Sequence, residues 1–198
     1  MADVRAPSDG AASTILAEVE LATAWNVRGN PEHASFVAAA GRVLGPALPV
    51  HPETSARADG IALLRLGPRT WLFVAGPGAE RHDFDAARKA LNDAGGALFD
   101  VSSSHAAWSV AGASAWRVLN RLCPLDLHPH VFVPGRFAQS VLGHIAASFY
   151  RPDERPAFVV IVARSFAAAA WRDLCAVAAS EGYRVAPGVP FGAADAPG

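Results

Sequence analysis

Ala24-Trp25-Asn26-Val27-Arg28-Gly29 and Ala107-Trp108-Ser109-Val110-Ala111-Gly112 agree at four of six positions, and the segments after them follow one plan. In each hexapeptide Trp and Val alternate with other residues, and period two marks a strand. After the first, Pro31 and Glu32 suit the opening turn of a helix. Its stripe is Phe36, Ala39 or Ala40, and Val43, and Gly45-Pro46 stops it. Residues 61–66 and 70–75 read as two strands around the turn Gly67-Pro68-Arg69. Phe84, Ala87, Leu91 and Ala94 form a second helical stripe behind the cap Asp83, closed by Gly95-Gly96, and residues 97–101 read as a strand. After the second hexapeptide come a helix carrying Ala115, Val118 or Leu119, and Leu122; a strand signal over 141–150; a turn over 151–156; and a strand over 157–163. Ser165 then caps a helix with the stripe Phe166, Ala170, Leu174, and Val177 or Ala178. Gly182 ends it and residues 183–185 form a last strand.

The order β-α-β-β-α-β is that of the split βαβ, or ferredoxin-like, unit, whose two crossovers place both helices on one face of an antiparallel sheet. The expected fold class is therefore α+β, with two ferredoxin-like (βαββαβ) halves packed together; a single larger α+β sheet is the alternative. The expected organisation is a flexible arm over 1–12, a first half over 13–103, a second half over 104–185 and a flexible tail over 186–198. Residues 13–21 read as a short helix and residues 48–59 as a polar loop.

The sequence has no run of 18 apolar residues and no apolar stretch after a basic start. It predicts neither a spanning helix nor a signal peptide, and so a cytoplasmic protein. Net charge is −1, Lys89 is the only lysine and the arginines are scattered, which argues against a nucleic-acid footprint. Cys123 and Cys175 sit apart, each in an apolar helical pattern, and are expected to be reduced, buried and on helices. Charged residues are 18% of the chain and hydrophobic ones 52%, a balance that hints at surface covered by a partner.

The candidate polar clusters read better as structure than as chemistry. His128 and His130, two apart, share a face of an extended segment, and Asp126 is the nearest third metal ligand. Ser102, Ser103 or Ser104 with His105 and Asp100 matches the composition of a triad, but adjacency in sequence is not triad geometry. Gly76-Pro77-Gly78 and Gly95-Gly96 match no phosphate loop or dinucleotide fingerprint. Asp83 with Asp85 suits a helix start, and Asp153 with Glu154 a turn. No catalytic, cofactor-binding or metal-binding residue is expected. Trp71, Phe132, Phe137 and Trp171 are the expected interface residues, because they flank turns and segments able to protrude.

Four stretches carry a resemblance. They are Trp25-Asn26-Val27-Arg28-Gly29-Asn30-Pro31 with the Phe36 helix; Ala62-Leu63-Leu64-Arg65-Leu66-Gly67-Pro68-Arg69-Thr70-Trp71-Leu72; Leu125-Asp126-Leu127-His128-Pro129 with Phe132 and Gly135; and Ser165-Phe166 with Trp171 and Leu174. In order and spacing the chain resembles the gamma subunits of heterotetrameric sarcosine oxidases over roughly residues 20 to 185. That family resembles the folate-binding core of glycine-cleavage aminomethyltransferases. The resemblance implies a non-catalytic subunit in a complex with alpha, beta and delta partners. It also implies that FAD, FMN, NAD, tetrahydrofolate and zinc belong to those partners. Two other readings stand beside it: a stand-alone folate-binding or aminomethyltransferase-like protein, for which Asp126 and Asp100 are the acids to test, and an adaptor of another complex.

Overall fold

A computed structural model describes residues 13–78 and 83–192. The expected arm over 1–12 and the last part of the expected tail, 193–198, lie outside the described residues. The described residues form two compact units: Glu20–His105 with residues 190–192, and residues 13–19 with Ala106–Val189.

The first element among the described residues is β1 (Thr14–Glu20), a strand where the local pattern predicts a helix over 13–21. Pairing on both sides decides the matter. β1 runs antiparallel to β7 (His105–Ala111), with Leu16 opposite Val110 and Glu18 opposite Trp108, and parallel to β11 (Tyr183–Val185). Leu16 and Ala17 point to opposite faces and are both buried, so tertiary context overrides helix propensity.

The unit from Glu20 contains β2 (Thr23–Arg28), α1 (Ala34–Leu44), β3 (Ser55–Ala58), β4 (Ile61–Gly67), β5 (Thr70–Ala75), α2 (Phe84–Asp93) and β6 (Ala97–Asp100). Its sheet order is β3-β4-β5-β2-β6. Without β3 this is the ferredoxin-like order, and every pairing is antiparallel. Trp25, Val27, Leu63, Trp71, Phe73 and Leu98 share one core with Phe36, Ala39, Ala40 and Leu44 of α1 and Ala87 and Leu91 of α2. Each such large side chain contributes about 1.5–3 kcal/mol by leaving water. β3 lies inside the stretch read as a loop over 48–59. It pairs with β4 across Asp59-Gly60, whose φ values of 45° and 77° make the tight turn that Asp-Gly favours.

The other unit repeats the plan with β1 and one further short strand added to its sheet. β7, α3 (Ala115–Asn120), β8 (Phe137–Leu142), β9 (Ile145–Tyr150), β10 (Ala157–Ala163), α4 (Ala167–Ala178) and β11 follow in sequence. The sheet order is β11-β1-β7-β10-β9-β8, and β12 (Val189–Pro190) also pairs with β1. The strand signal over 141–150 is a hairpin: β8 turns into β9 at Gly143-His144, with Phe137 opposite Tyr150. The tail expected to be loose from residue 186 is held as far as residue 191. Ala186 N–H donates to Leu16 O (2.8 Å), Phe191 N–H donates to Glu20 O (3.0 Å), and both side chains are buried. A 3-10 turn, Arg164–Phe166, precedes α4, so Ser165 does not cap that helix and Phe166 stands 51% exposed instead of joining its stripe.

The two hexapeptides are the corresponding strands β2 and β7. Trp25 stacks on Phe73 (4.9 Å between ring centres) and meets Phe84 at the start of α2, while Trp108 stacks on Trp171 of α4 (6.2 Å). Each Trp thus lies under the second helix of its unit. The shared glycines serve different ends. A Cβ on Gly29 would overlap the Phe36 ring, whereas Gly112 has φ of +106° and faces the Ser13 carbonyl.

Two outcomes follow from this packing. Gly112→Ala forces a side chain into left-handed backbone against Ser13, and denaturant unfolding is expected to show a loss of about 1–3 kcal/mol; an unchanged midpoint would contradict the placement of β1 beside β7. Cys123 and Cys175 are buried and unbridged; Cys175 lies on α4, but Cys123, expected on a helix, lies past the end of α3 at Asn120, and burial pushes the Cys175 thiol up against a smaller opposing hydrogen bond with Tyr183. Thiol titration is expected to count two thiols in the denatured, unreduced protein and slow reaction of Cys175 in the native one; a count of zero would refute it.

Candidate functional site

The polar clusters singled out in the sequence are drawn into caps and turns. Asp126 Oδ1 accepts from His128 N–H (2.9 Å), and His128 Nδ1 accepts from His130 N–H (3.3 Å). The two imidazoles stack at 5.2 Å, and His128 meets the edge of Trp116 at 4.7 Å. Nδ1 of His128 and one Asp126 oxygen are therefore occupied by the loop's own backbone. No group of three His, Cys, Asp or Glu side chains suited to a metal ion occurs among the described residues.

Asp100 and Ser102 do come together. Asp100 Oδ1 accepts from Ser102 N–H (2.9 Å) and Ser102 O–H (2.6 Å), and Ser102 Oγ accepts from Ala24 N–H (2.9 Å). His105 turns its Nδ1 to the Val101 carbonyl (3.2 Å). The arrangement clasps the end of β6 to the start of β2; it is not a nucleophile beside its base. Asp83 Oδ1 caps α2 through Asp85 and Ala86 N–H (3.0 and 3.1 Å). Gly95 and Gly96 N–H close α2 onto Asn92 and Leu91 carbonyls. Asp153 pairs with Arg155 at 2.7 Å in the turn before β10.

Three of the four expected interface residues are core residues. Trp71 is fully buried and its Nε1–H donates to the Pro49 carbonyl (2.9 Å); Phe132 and Phe137 are each 1% exposed. They sit beside turns, as the sequence suggests, but sheet alternation and loop closure turn their rings inward. Arg151 explains the Phe132 loop. This guanidinium, 5% exposed, donates to the Pro129 and Phe132 carbonyls (both 2.9 Å) and to the Glu154 carbonyl (3.3 Å). A buried cation is tolerable there because charge-assisted bonds to three carbonyls replace its water. The composition of the Leu125–Gly135 stretch gives no sign of this clamp from outside it.

Trp171, the fourth, is half-buried and lies in a cleft of about 410 Å³. The floor is Trp108 with Ala106 on β7. Arg164, Ala167 and Ala168 bring in the approach to α4, Val185, Ala186 and Gly188 the chain after β11, and Glu18 stands on β1. The walls are small, so two indoles define the interior. Arg164 and Glu18 give the rim one charge of each sign. The arrangement offers an aromatic, partly apolar seat of the size range that holds small ligands or inserted side chains. It brings no nucleophile and base together.

Residues 28–180 match the sarcosine oxidase, gamma subunit family. The gamma subunit of sarcosine oxidase from Arthrobacter sp. is 32% identical over 161 residues, covering 81% of this chain and 78% of that protein. The gamma subunit from Corynebacterium sp. strain U-96 is 30% identical over 149 residues, covering 74% and 70%. Among solved structures, a chain of the heterotetrameric sarcosine oxidase of Corynebacterium sp. U-96, in complex with pyrrole 2-carboxylate, superposes with a TM-score of 0.78. It is 25% identical and covers 90% of this chain and 89% of its own. The glycine cleavage system aminomethyltransferase T of Bartonella henselae shares the fold, with a TM-score of 0.61 at 15% identity over 89% of this chain and 48% of its own. With the family spanning both units and the relatives matched along most of their length, this chain belongs to the sarcosine oxidase gamma subunit family.

Proposed function

We propose that this chain is the non-catalytic gamma subunit of a heterotetrameric sarcosine oxidase complex and that it acts by holding the assembly together. The observation that carries the reading is the whole-chain correspondence, 90% against 89%, with a chain of a heterotetrameric sarcosine oxidase. The placement of three of the acids singled out above supports it: Asp100, Asp126 and Asp83 each accept from backbone N–H groups in a turn or a helix cap. The partners are the alpha, beta and delta subunits, in the cytoplasm, and FAD, FMN, NAD, tetrahydrofolate and zinc are assigned to them. The complex oxidises the N-methyl carbon of sarcosine, passes two electrons to oxygen to give hydrogen peroxide, and transfers the one-carbon unit to tetrahydrofolate, leaving glycine. No helix among the described residues is long and apolar enough to cross a membrane.

The test is expression of the other subunits with and without this chain, measuring assembled mass, flavin content and sarcosine-dependent peroxide. Without the chain, the expected outcome is loss of the full-mass complex and of most of its activity, while the isolated chain leaves sarcosine unchanged. A fully active complex of normal flavin content lacking this chain would refute the role.

A further inference from the structure

A late segment of the chain lies backbone to backbone against one end of the five-stranded sheet. Ile61 of β4 and Thr23 of β2 both stand opposite Ala75 of β5, so Gly60, Gly76 and the approach to β2 from Glu20 lie at the same end. Residues 190–192 belong to this unit and meet all three. Phe191 N–H donates to Glu20 O (3.0 Å). A Cβ on Gly76 would stand 2.0 Å from Phe191 O, and one on Gly192 would stand 2.6 Å from Gly60 Cα. Only glycine permits so close an approach of main chain to main chain. Beneath the segment, Gly76 N–H donates to Gly60 O (3.4 Å).

The segment covers apolar surface that the sheet leaves at its end. Ile61 and Ala75 form the last pair of the β4–β5 ladder there, and both are buried, as is Phe191 itself. Phe191 comes more than a hundred positions after Gly76 and directly follows β12, which pairs with β1. A contiguous unit folds once its own last residue is made, the N-terminal unit first. The unit from Glu20 is contiguous as far as His105 and then lacks its cover until residue 192 is present. Three residues bury far less than the sheet beneath them, so they open at lower cost.

We propose that residues 190–192 are a latch. In place, the segment holds the Gly60–Gly76 end of the unit from Glu20 shut; released, it lets that end open while the other unit stays folded. The unit made earlier is thereby completed by a segment made after the other, and a chain stopped before residue 190 carries an open sheet end.

Hydrogen exchange of the full chain tests this, beside Gly76→Ala, Phe191→Ala and a form ending at Val189. The form ending at Val189 is expected to exchange about tenfold or more faster at position 76 and its neighbours in β5, while the amides of β8 and β9 keep the parent rate. Gly76→Ala drives a methyl at the Phe191 carbonyl. It is expected to give the same acceleration in the full chain and to add nothing in the form ending at Val189, where the atoms it strikes are gone. Phe191→Ala keeps every later residue and removes only the buried ring, and the same amides are expected to accelerate. Parent-like exchange at position 76 in the form ending at Val189 or in Phe191→Ala overturns the latch. An equal added effect of Gly76→Ala with and without residue 191 also overturns it. So does loss of protection in both units together, which makes the segment part of one global transition and not a local device.

Discussion

The seven-stranded unit depends on one strand that arrives from the start of the chain. β1 stands between β7 and β11, and β11 reaches the sheet only through it. Without β1 the edge would lose its attachment, Ala186 its carbonyl partner on Leu16, and the cleft its Glu18 wall. The contact is also costly to form, because Ile15 pairs with Ala111 nearly a hundred positions away, and closing such a loop precedes any gain from the ladder. Backbone bonds on both sides and burial on both faces offset that cost. Ser13 adds a tie through its hydroxyl to the Glu181 carbonyl (2.5 Å).

The repeated plan shows how one physical solution tolerates different residues. In each unit the Trp of the hexapeptide fills the space between sheet and second helix. Its neighbours are Phe73 and Phe84 in one case and Trp171 in the other. Phe84 opens a helix in the first unit and Trp171 lies further along a helix in the second, so the two cores are packed differently around a common ring. In the second, Ala106, Ala167 and Ala168 line a cleft that larger side chains would close.

Polar side chains that would attract a mechanistic reading instead satisfy backbone donors and acceptors. Asp100 and Ser102 join two strands, Asp126 and His128 shape a loop, and Arg151 holds that loop from inside. Each of these bonds is worth about 0.5–1.5 kcal/mol, more where charged, and a buried group left without one would cost more than that.

What could be read from the sequence is what local chemistry decides. The hairpin from β4 to β5, the Asp83 cap, the glycine end of α2 and the strand character of both hexapeptides depend on neighbours a few positions apart, and they are legible. Family membership is legible too, since it rests on the order and spacing of motifs. β3 was legible in principle through Asp59-Gly60, but its polar residues hid it. The identity of β1 as a strand, the burial of Trp71, Phe132 and Phe137, and the cleft around Trp171 were decided only in the folded chain. Their cause is long-range pairing and the direction in which the backbone turns a side chain. Composition and periodicity record that a ring is present, and tertiary structure alone decides whether it faces the core or a partner.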